Sequence, residues 1–239
     1  GGGIFERSAK SIGLTPEIKA LTGLAEDAVT PDVLIKALLT ADIDLLWFGG
    51  IGAYIKASTQ SHADVGDKTN DILRVDAKDV RAKVIAEGAN LGVTQAGRIE
   101  FARKGGRINT DAIDNSAGVD SSDHEVNIKI LTAEAIHEGA LKADDRNALL
   151  ASMTDDVGHL VLENNYDQTA ALSVMQATAP ADLDSHEGLI ETLEPQGKLD
   201  RVVEGQRAAL GGRRLSEKKL GLTRPELAVT TPHAKPDFF

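Results

Sequence analysis

The chain has 239 residues, and its 37 acidic residues outnumber its 26 lysines and arginines, so the formal net charge is −11. This balance excludes a dominant nucleic-acid-binding surface and an attraction to anionic membranes, because both need clustered cations. The absence of cysteine excludes disulfides, thiolate metal sites and cysteine nucleophiles. With only 3% aromatic residues, the core must be built from aliphatic side chains, which favours helices and aliphatic α/β layers.

The two ends and the apolar runs bear on where the protein works. No apolar run approaches the roughly 20 residues of a membrane helix, and the N-terminus lacks the order of a signal peptide. We therefore expect a soluble, cytoplasmic chain of one or two domains. The three glycines at 1–3, without an initiator methionine, indicate a piece of a longer protein; an expression scar is the alternative.

Two proline-containing segments predict helix starts near the N-terminus. Thr15 and Thr30 each place an N-cap hydroxyl before a proline and an acid. The second helix leads into the continuous apolar run 43–48, which is typical of a strand buried on both faces. The run ends in a glycine-rich turn at 49–52.

Helix and strand signals continue to alternate through the first half. We predict a helix over about 63–73, a short strand at 83–86, and a helix over 94–101 that glycines 105–106 end in a left-handed conformation. A weaker strand follows at 107–110. This alternation predicts an α/β fold with a doubly wound parallel sheet.

The second half is predicted to be helical. Ser122 and Glu125 have the spacing of a capping box and predict a helix that begins there and runs to about Lys142. Apolar residues at helical spacing follow over 149–161, without strand-like runs. The fold class is therefore a parallel α/β sheet followed by an all-helical segment, which we divide into residues 1–125 and 126–239.

Further helix signals occur near the C-terminus. The apolar residues at 189–193 predict a helix that stops before Pro195, and Thr223 with Glu226 forms a second capping box. The two prolines after Thr230 predict that no helix continues there and that the end is frayed.

Several common site signatures are missing. The sequence contains no glycine-rich dinucleotide or Walker loop, no HExxH zinc motif and no GxSxG esterase motif. The six histidines include no i, i+4 pair, so we expect no metal site.

Three short segments follow the predicted strands, at 49–52, 87–90 and 115–122. In a doubly wound sheet, ligands bind at this carboxyl edge. A helix N-terminus at Ser122 would attract a carboxylate or phosphate, and the amide of Asn90 could both donate to and accept from a sugar or a nicotinamide. Judged singly, the segments at 87–90 and 115–122 are better explained by ordinary capping and turn formation.

Taken together, longer stretches point to one family. They include the motif AEGANLGVT at 86–94 and the motif INTDAIDNSAGVDSSDHEVN at 108–127. These stretches, with 1–12, 44–54 and 61–67, closely resemble the large bacterial NAD-specific glutamate dehydrogenases, and 222–229 resembles the helical C-terminal region of the same family. The resemblance covers nearly the whole chain.

The resemblance implies a reaction and three side-chain roles. The reaction is the oxidative deamination of L-glutamate to 2-oxoglutarate and ammonia, with hydride transfer to NAD. Asn90 is similar to the asparagine near the cofactor's ribose and nicotinamide, and Asn115 to the one that binds the nicotinamide amide. Ser122 resembles the serine that holds the side-chain carboxylate of the substrate.

The resemblance also implies what the chain lacks. Gly49, Gly50 and Gly52 would line the cofactor cleft after a Rossmann strand, so the sheet is expected to be a partial Rossmann-like sheet. The family's phosphate loop, catalytic lysine and aspartate are expected upstream, and neither Lys10 nor Lys56 lies in the corresponding lysine motif. We therefore expect the chain alone to be inactive, with no catalytic residue of its own.

Two function classes remain open at this point. The first is part of an NAD-dependent glutamate dehydrogenase that forms a homo-oligomer in its full-length state. The second is a non-catalytic nucleotide-binding or oligomerisation module. An unrelated Rossmann-like fold would require a chance match over 108–127.

Overall fold

A computed structural model describes residues 3–205 and 220–234 of the chain, with side chains up to residue 230. The α/β half contains eleven elements: β1 (Ile12–Gly13), α1 (Pro16–Thr22), β2 (Ala28–Val29), α2 (Pro31–Leu39), β3 (Leu45–Phe48), β4 (Ile55–Lys56), α3 (His62–Val65), β5 (Val75–Asp76), β6 (Val84–Glu87), α4 (Gln95–Arg103) and β7 (Arg107–Ile108). The helices after it are α5 (Asp111–Asp114), α6 (Ser116–His137), α7 (Arg146–Ser152), α8 (Thr154–Thr178), α9 (Leu183–Leu193) and α10 (Arg224–Ala234).

The central sheet is parallel, with the strand order β3-β6-β7. Phe48 at the end of β3 lies opposite Glu87 at the end of β6, so the segments after these strands leave the same edge of the sheet. Two smaller pairs accompany it, β1-β2 antiparallel and β4-β5 parallel. This confirms the predicted α/β class with a partial Rossmann-like parallel sheet followed by helices.

Strand β3 departs from the prediction that it is buried on both faces. Phe48 is buried, but Leu45 and Trp47 are 51% and 61% exposed. Within the described residues β3 is an edge strand whose sheet partner is β6. An apolar run cannot tell an edge strand from a central one, which is why the prediction was wrong.

The helix predicted over 63–73 is much shorter in the structure. Helix α3 ends at Val65, because Gly66 adopts a left-handed conformation with φ of 75°. A single 3₁₀ turn then spans Lys68–Asn70. The first predicted helix start is confirmed, since the hydroxyl of Thr15 accepts from the backbone N–H of Ile18.

The capping box predicted at Ser122 is wrong. Helix α6 begins at Ser116, so Ser122 lies in its second turn, and Glu125 forms an i, i+4 ion pair with Lys129 instead. The predicted loop 115–122 is therefore mostly helical. The helix also ends at His137, short of Lys142, before Gly139 turns the chain with φ of 75°.

Two hydrophobic clusters support the site described below. The sheet cluster packs β3, β6 and α4 together and includes Phe48, Ile85 and Phe101. The helical cluster packs α8, α9 and α10 together and includes Leu172 and Leu227. Residues of α10 also contact α4, which attaches the helical half to the sheet half.

Helix α10 confirms one prediction and corrects another. The backbone N–H and the hydroxyl of Thr223 both donate to Oε2 of Glu226, at 2.7 Å each, so the second capping box starts a helix. The helix continues through Pro232 to Ala234, although its prolines predicted an end near Thr230. Thr230 is fully buried, and its hydroxyl donates to the carbonyl of Leu227, so packing holds this turn in place.

The predictions for residues 1–2 and for 235–239 lie outside the described part of the chain. Among the described residues, no helix is both long and apolar enough to cross a bilayer. The same residues contain no group of three or more potential ligands that could hold a metal ion. The boundary drawn between residues 125 and 126 falls inside α6 and stays a prediction.

Candidate functional site

The candidate site lies at the carboxyl edge of the parallel sheet, where residues 88–92 leave β6. The backbone N–H of Ala89 donates to the carbonyl of Phe48 at 3.0 Å, which ties this loop to the end of β3. Gly88 lies against the ring of Trp47, so closely that a Cβ there would come within 2.5 Å of Cζ2. The loop is thus fixed at its start against the neighbouring strand.

Two of the predicted site residues are in direct contact. Nδ2 of Asn115 donates to Oδ1 of Asn90 at 2.7 Å. Asn90 is exposed on its loop, whereas Asn115 is half-buried at the junction between α5 and α6. The structure therefore brings together two amides that lie on separate elements.

The single-turn helix α5 holds the loop at both ends. Oδ2 of Asp114 accepts from the backbone N–H of Glu87 at 2.9 Å, and Oδ2 of Asp111 accepts from the backbone N–H of Leu91 at 2.9 Å. Leu91 has φ of 66°, a left-handed conformation that few residues other than glycine adopt. We call Asp111 and Asp114 the α5 carboxylates.

A buried ion pair lies beneath the loop. Nε and Nη2 of Arg98 donate to the two carboxylate oxygens of Glu87 at 2.6 and 2.9 Å, and Oδ1 of Asp111 lies 3.1 Å from Nη2. Burial raises the pKa of Glu87. Burial alone would lower the pKa of Arg98, but the hydrogen bonds and charges of Glu87 and Asp111 raise it. Arg98 therefore stays a cation that both carboxylates share.

Asp114 links this network to the helical half. Its Oδ1 accepts from Nδ2 of Asn109 at 2.6 Å, while Nε of Arg224 donates to Oδ1 of the same asparagine. Arg224 also donates to the carbonyl of Thr169 in α8 at 3.0 Å. Burial raises the pKa of Asp114 in spite of the hydrogen bonds that it accepts.

A cleft of about 1030 Å³ opens beside the two asparagines, between the loop, α5, α6 and α8. The hydroxyl of Ser116 donates to Oδ1 of Asn165 at 2.7 Å, and Nδ2 of Asn164 donates to Oδ2 of Asp120 at 2.9 Å, so α6 is fastened to α8 across the cleft. The lining is mixed, with apolar side chains such as Val119 and acids such as Asp123.

The other predicted site residues do not line this cleft. Ser122 is exposed on α6, one turn beyond Val119, which does line the cleft. Gly49, Gly50 and Gly52 follow β3, whose end lies opposite the end of β6. Gly52 has φ of 138° and lies against Asn70 and Tyr54. The turn therefore requires glycine there, because a side chain would be strained and would clash with both neighbours.

Sequence reasoning missed Arg98 and the α5 carboxylates. Arg98 lies in a predicted helix to which the sequence assigns no function. Asp111 and Asp114 belong to the motif at 108–127, but the motif assigns them no role. One signal was present, since the i, i+3 spacing of two acids after a predicted strand places them on one face of a helical turn at the sheet's carboxyl edge.

Comparisons with known proteins agree on one family. Residues 1–175 match the family described as bacterial NAD-glutamate dehydrogenase, catalytic domain. Proteins named NAD-specific glutamate dehydrogenase are 53% identical in Pseudomonas aeruginosa, 48% in Mycobacterium tuberculosis and 47% in Halomonas elongata. The matches cover 98–99% of this chain, which spans about 15% of the length of each relative.

Proposed function

Because the chain belongs to the bacterial NAD-glutamate dehydrogenase family, in the part described as the catalytic domain, we propose that it is one part of such an enzyme. The enzyme would convert L-glutamate and NAD to 2-oxoglutarate, ammonia and NADH in the cytoplasm. This chain would supply the distal part of the cofactor domain and part of the helical C-terminal region.

The observation that carries the proposal is the hydrogen bond between Asn115 and Asn90 at the mouth of the cleft. This hydrogen bond uses one side-chain N–H of Asn115 and the side-chain oxygen of Asn90. The side-chain N–H groups of Asn90 and the side-chain oxygen of Asn115 remain for a ligand. No other hydrogen bond to these groups occurs among the described residues. A nicotinamide carboxamide offers a matching acceptor and donor, so these residues fit the cofactor.

Ser122 is the proposed contact for the side-chain carboxylate of glutamate. It follows Asn115 by seven residues, which along an α-helix corresponds to about 10 Å of rise and nearly the same face. Its hydroxyl is exposed and accessible to a ligand. The resemblance carries this assignment, and a helix N-terminus no longer supports it, because α6 begins at Ser116.

The chain's own residues would bind and orient rather than transfer protons. When bound, NAD accepts the hydride from the α-carbon of glutamate. Asn90 and Asn115 would fix the nicotinamide, while Gly49, Gly50 and Gly52 would allow the cofactor to approach the sheet edge. The catalytic lysine and aspartate are proposed to come from another part of the protein, so the isolated chain should not turn over glutamate.

A second role as an oligomerisation module has one observation in its favour. Helix α6 exposes Val126, Ile130 and Leu131 by 50%, 65% and 71%. An apolar helix face of this kind is typical of a surface that other protein covers. Assembly and catalysis are compatible, since a homo-oligomeric dehydrogenase would use both.

Cofactor binding tests the proposal directly. We expect Asn115→Ala and Asn90→Ala in the complete protein each to weaken NADH binding by about tenfold, which corresponds to the loss of roughly one hydrogen bond. NADH fluorescence titration measures this. Asn127→Ala is the matched control, because Asn127 is exposed on the same helix and donates only to the carbonyl of Asp123. Unchanged titrations for both site variants would contradict the assignment.

A further inference from the structure

We propose that Asp111 and Asp114 are positioning residues, which hold the loop after β6 so that Asn90 meets the nicotinamide in one fixed orientation. The proposal rests on the proposed function, since it concerns how the same asparagine is placed. Neither carboxylate needs to touch the cofactor for this role.

The two carboxylates accept hydrogen bonds from backbone N–H groups on either side of residues 88–90. Asp114 accepts the N–H of Glu87, the last residue of β6, and Asp111 accepts the N–H of Leu91, which follows Asn90. Residues 88–90 therefore lie between two backbone positions that are each fixed by a hydrogen bond of 2.9 Å. Both acceptors lie on one face of a single helical turn, so they move together.

The second oxygen of each carboxylate is fixed as well. Oδ1 of Asp111 lies 3.1 Å from Nη2 of Arg98, and Oδ1 of Asp114 accepts from Nδ2 of Asn109 at 2.6 Å. Arg98 is only 5% exposed and is held in turn by Glu87. Each acid therefore faces the loop with one oxygen and the protein's interior with the other, which leaves little freedom to rotate.

The loop needs this support because of Leu91. Among the described residues, Leu91 alone combines a side chain with a positive φ. Such a conformation is disfavoured and persists where surrounding contacts impose it. The hydrogen bond to Asp111 supplies one such contact at the residue next to Asn90.

Helix α5 also sets the partner of Asn90. Asn115 directly follows Asp114, so the element that grips the loop also carries the second amide. Within α5, Ile113 packs against the helical cluster, whereas Asp111 and Asp114 contact the loop. Loss of a carboxylate contact would release the loop and Asn90 without removing the apolar contact of Ile113. The α5 carboxylates should therefore control cofactor affinity more than folding.

The test compares Asp111→Asn, Asp114→Asn and Leu91→Gly in the complete enzyme, with Asp144→Asn, an exposed acid, as control. Each asparagine turns an N–H toward one of the donors and loses that contact. We expect both to raise KM for NAD about tenfold, while kcat at saturating NAD changes less than twofold. Leu91→Gly should weaken NAD binding while thermal stability rises or stays constant, because it removes both the strain and the fixed conformation.

The Leu91 variant keeps the test decisive if an aspartate variant fails to fold. A purely structural role predicts that affinity follows stability, so lower kcat at unchanged KM, or unchanged NAD binding in Leu91→Gly, would overturn the proposal. Asn90→Ala distinguishes a failure of the proposed function from a failure of the positioning role. If neither it nor Asn115→Ala weakens NAD binding, the proposed cofactor assignment fails; if it weakens binding while Leu91→Gly does not, only the positioning role fails.

Discussion

Nη2 of Arg103 lies 3.1 Å from Oε1 of Glu226, and this ion pair joins α4 of the sheet half to α10 of the helical half. Glu226 is fully buried and also accepts from the backbone N–H of Thr223. Beside it, Nε2 of Gln95 donates to the carbonyl of Pro225 at 3.1 Å. A capping residue of α10 therefore also forms one of the contacts between the two halves.

Removing the cation should destabilise this contact. Arg103→Ala leaves a buried carboxylate without its guanidinium, and we expect the free energy of unfolding to fall by about 2 kcal/mol, less than for a fully buried pair because Arg103 is partly exposed. Urea denaturation measures the loss. Arg107→Ala is the control, since Arg107 is exposed and has no ion pair among the described residues, and it should change stability by less than about 0.5 kcal/mol. Equal effects would show that the pair contributes nothing.

The two capping boxes show why local patterns predict only part of this fold. The spacing at Ser122 is the same as that at Thr223, yet only Thr223 precedes a helix. Glu125 satisfies its charge within a helix through Lys129, whereas Glu226 is used by Thr223 and by the distant Arg103. The spacing of a hydroxyl and an acid is therefore compatible with a helix start or with a position inside a helix. It does not encode the tertiary contact between Glu226 and Arg103 that accompanies the helix start.

The candidate site was likewise predicted only in part from the sequence. Asn90 and Asn115 were found through motif resemblance, and the structure places them 2.7 Å apart. The residues that hold them were not found. The i, i+3 spacing indicates that the α5 carboxylates share a helical face, but the contact of Asp111 with Leu91 and that of Arg98 with Glu87 span separations that no periodicity encodes. The crossover pattern predicted the sheet edge but not which side chains would fix its loops.

A second prediction concerns Asp67, whose Oδ2 accepts from Nδ2 of Asn70 at 2.7 Å and from the backbone N–H of Ala53 at 2.9 Å. These two hydrogen bonds lower the pKa of Asp67 below its ordinary value of 3.8. A carboxyl group with a lowered folded pKa stabilises the fold above its unfolded pKa, and this contribution is lost as the pH falls through the folded pKa.

We therefore expect Asp67→Ala to reduce stability at pH 7 by about 1 kcal/mol, the contribution of a hydrogen bond, and to differ less from the parent as the pH falls below about 4. Denaturation midpoints across this pH range measure the difference. Asp144→Ala is the control, because Asp144 is exposed and no hydrogen bond or ion pair of its side chain is found among the described residues, so stability at pH 7 should change by less than about 0.5 kcal/mol. A constant difference at every pH would mean that the carboxylate charge is irrelevant.

The third prediction uses Trp47, the only tryptophan of the chain. In Gly88→Ala the new Cβ would lie 2.5 Å from Cζ2 of Trp47, so the ring must move away from the loop. We expect a shift of the tryptophan emission and a fall of about 1–2 kcal/mol in the free energy of unfolding, as for other overpacked sites. Gly50→Ala is the control, since nothing lies within 4 Å of a Cβ there. In a Trp47→Ala background, the cost of Gly88→Ala should disappear.

The fourth prediction addresses the substrate. If Ser122 holds the side-chain carboxylate of glutamate, Ser122→Ala in the complete enzyme should raise KM for glutamate by roughly 10- to 100-fold, because a hydrogen bond to a charged group contributes about 1.5–3 kcal/mol. KM for NAD should stay nearly constant, since the proposed cofactor contacts are Asn90 and Asn115. Ser121→Ala is the matched control, because the hydroxyl of Ser121 donates to the carbonyl of Ala117 within α6. An unchanged KM for glutamate in Ser122→Ala would assign the carboxylate contact to another residue, while leaving the cofactor site untouched.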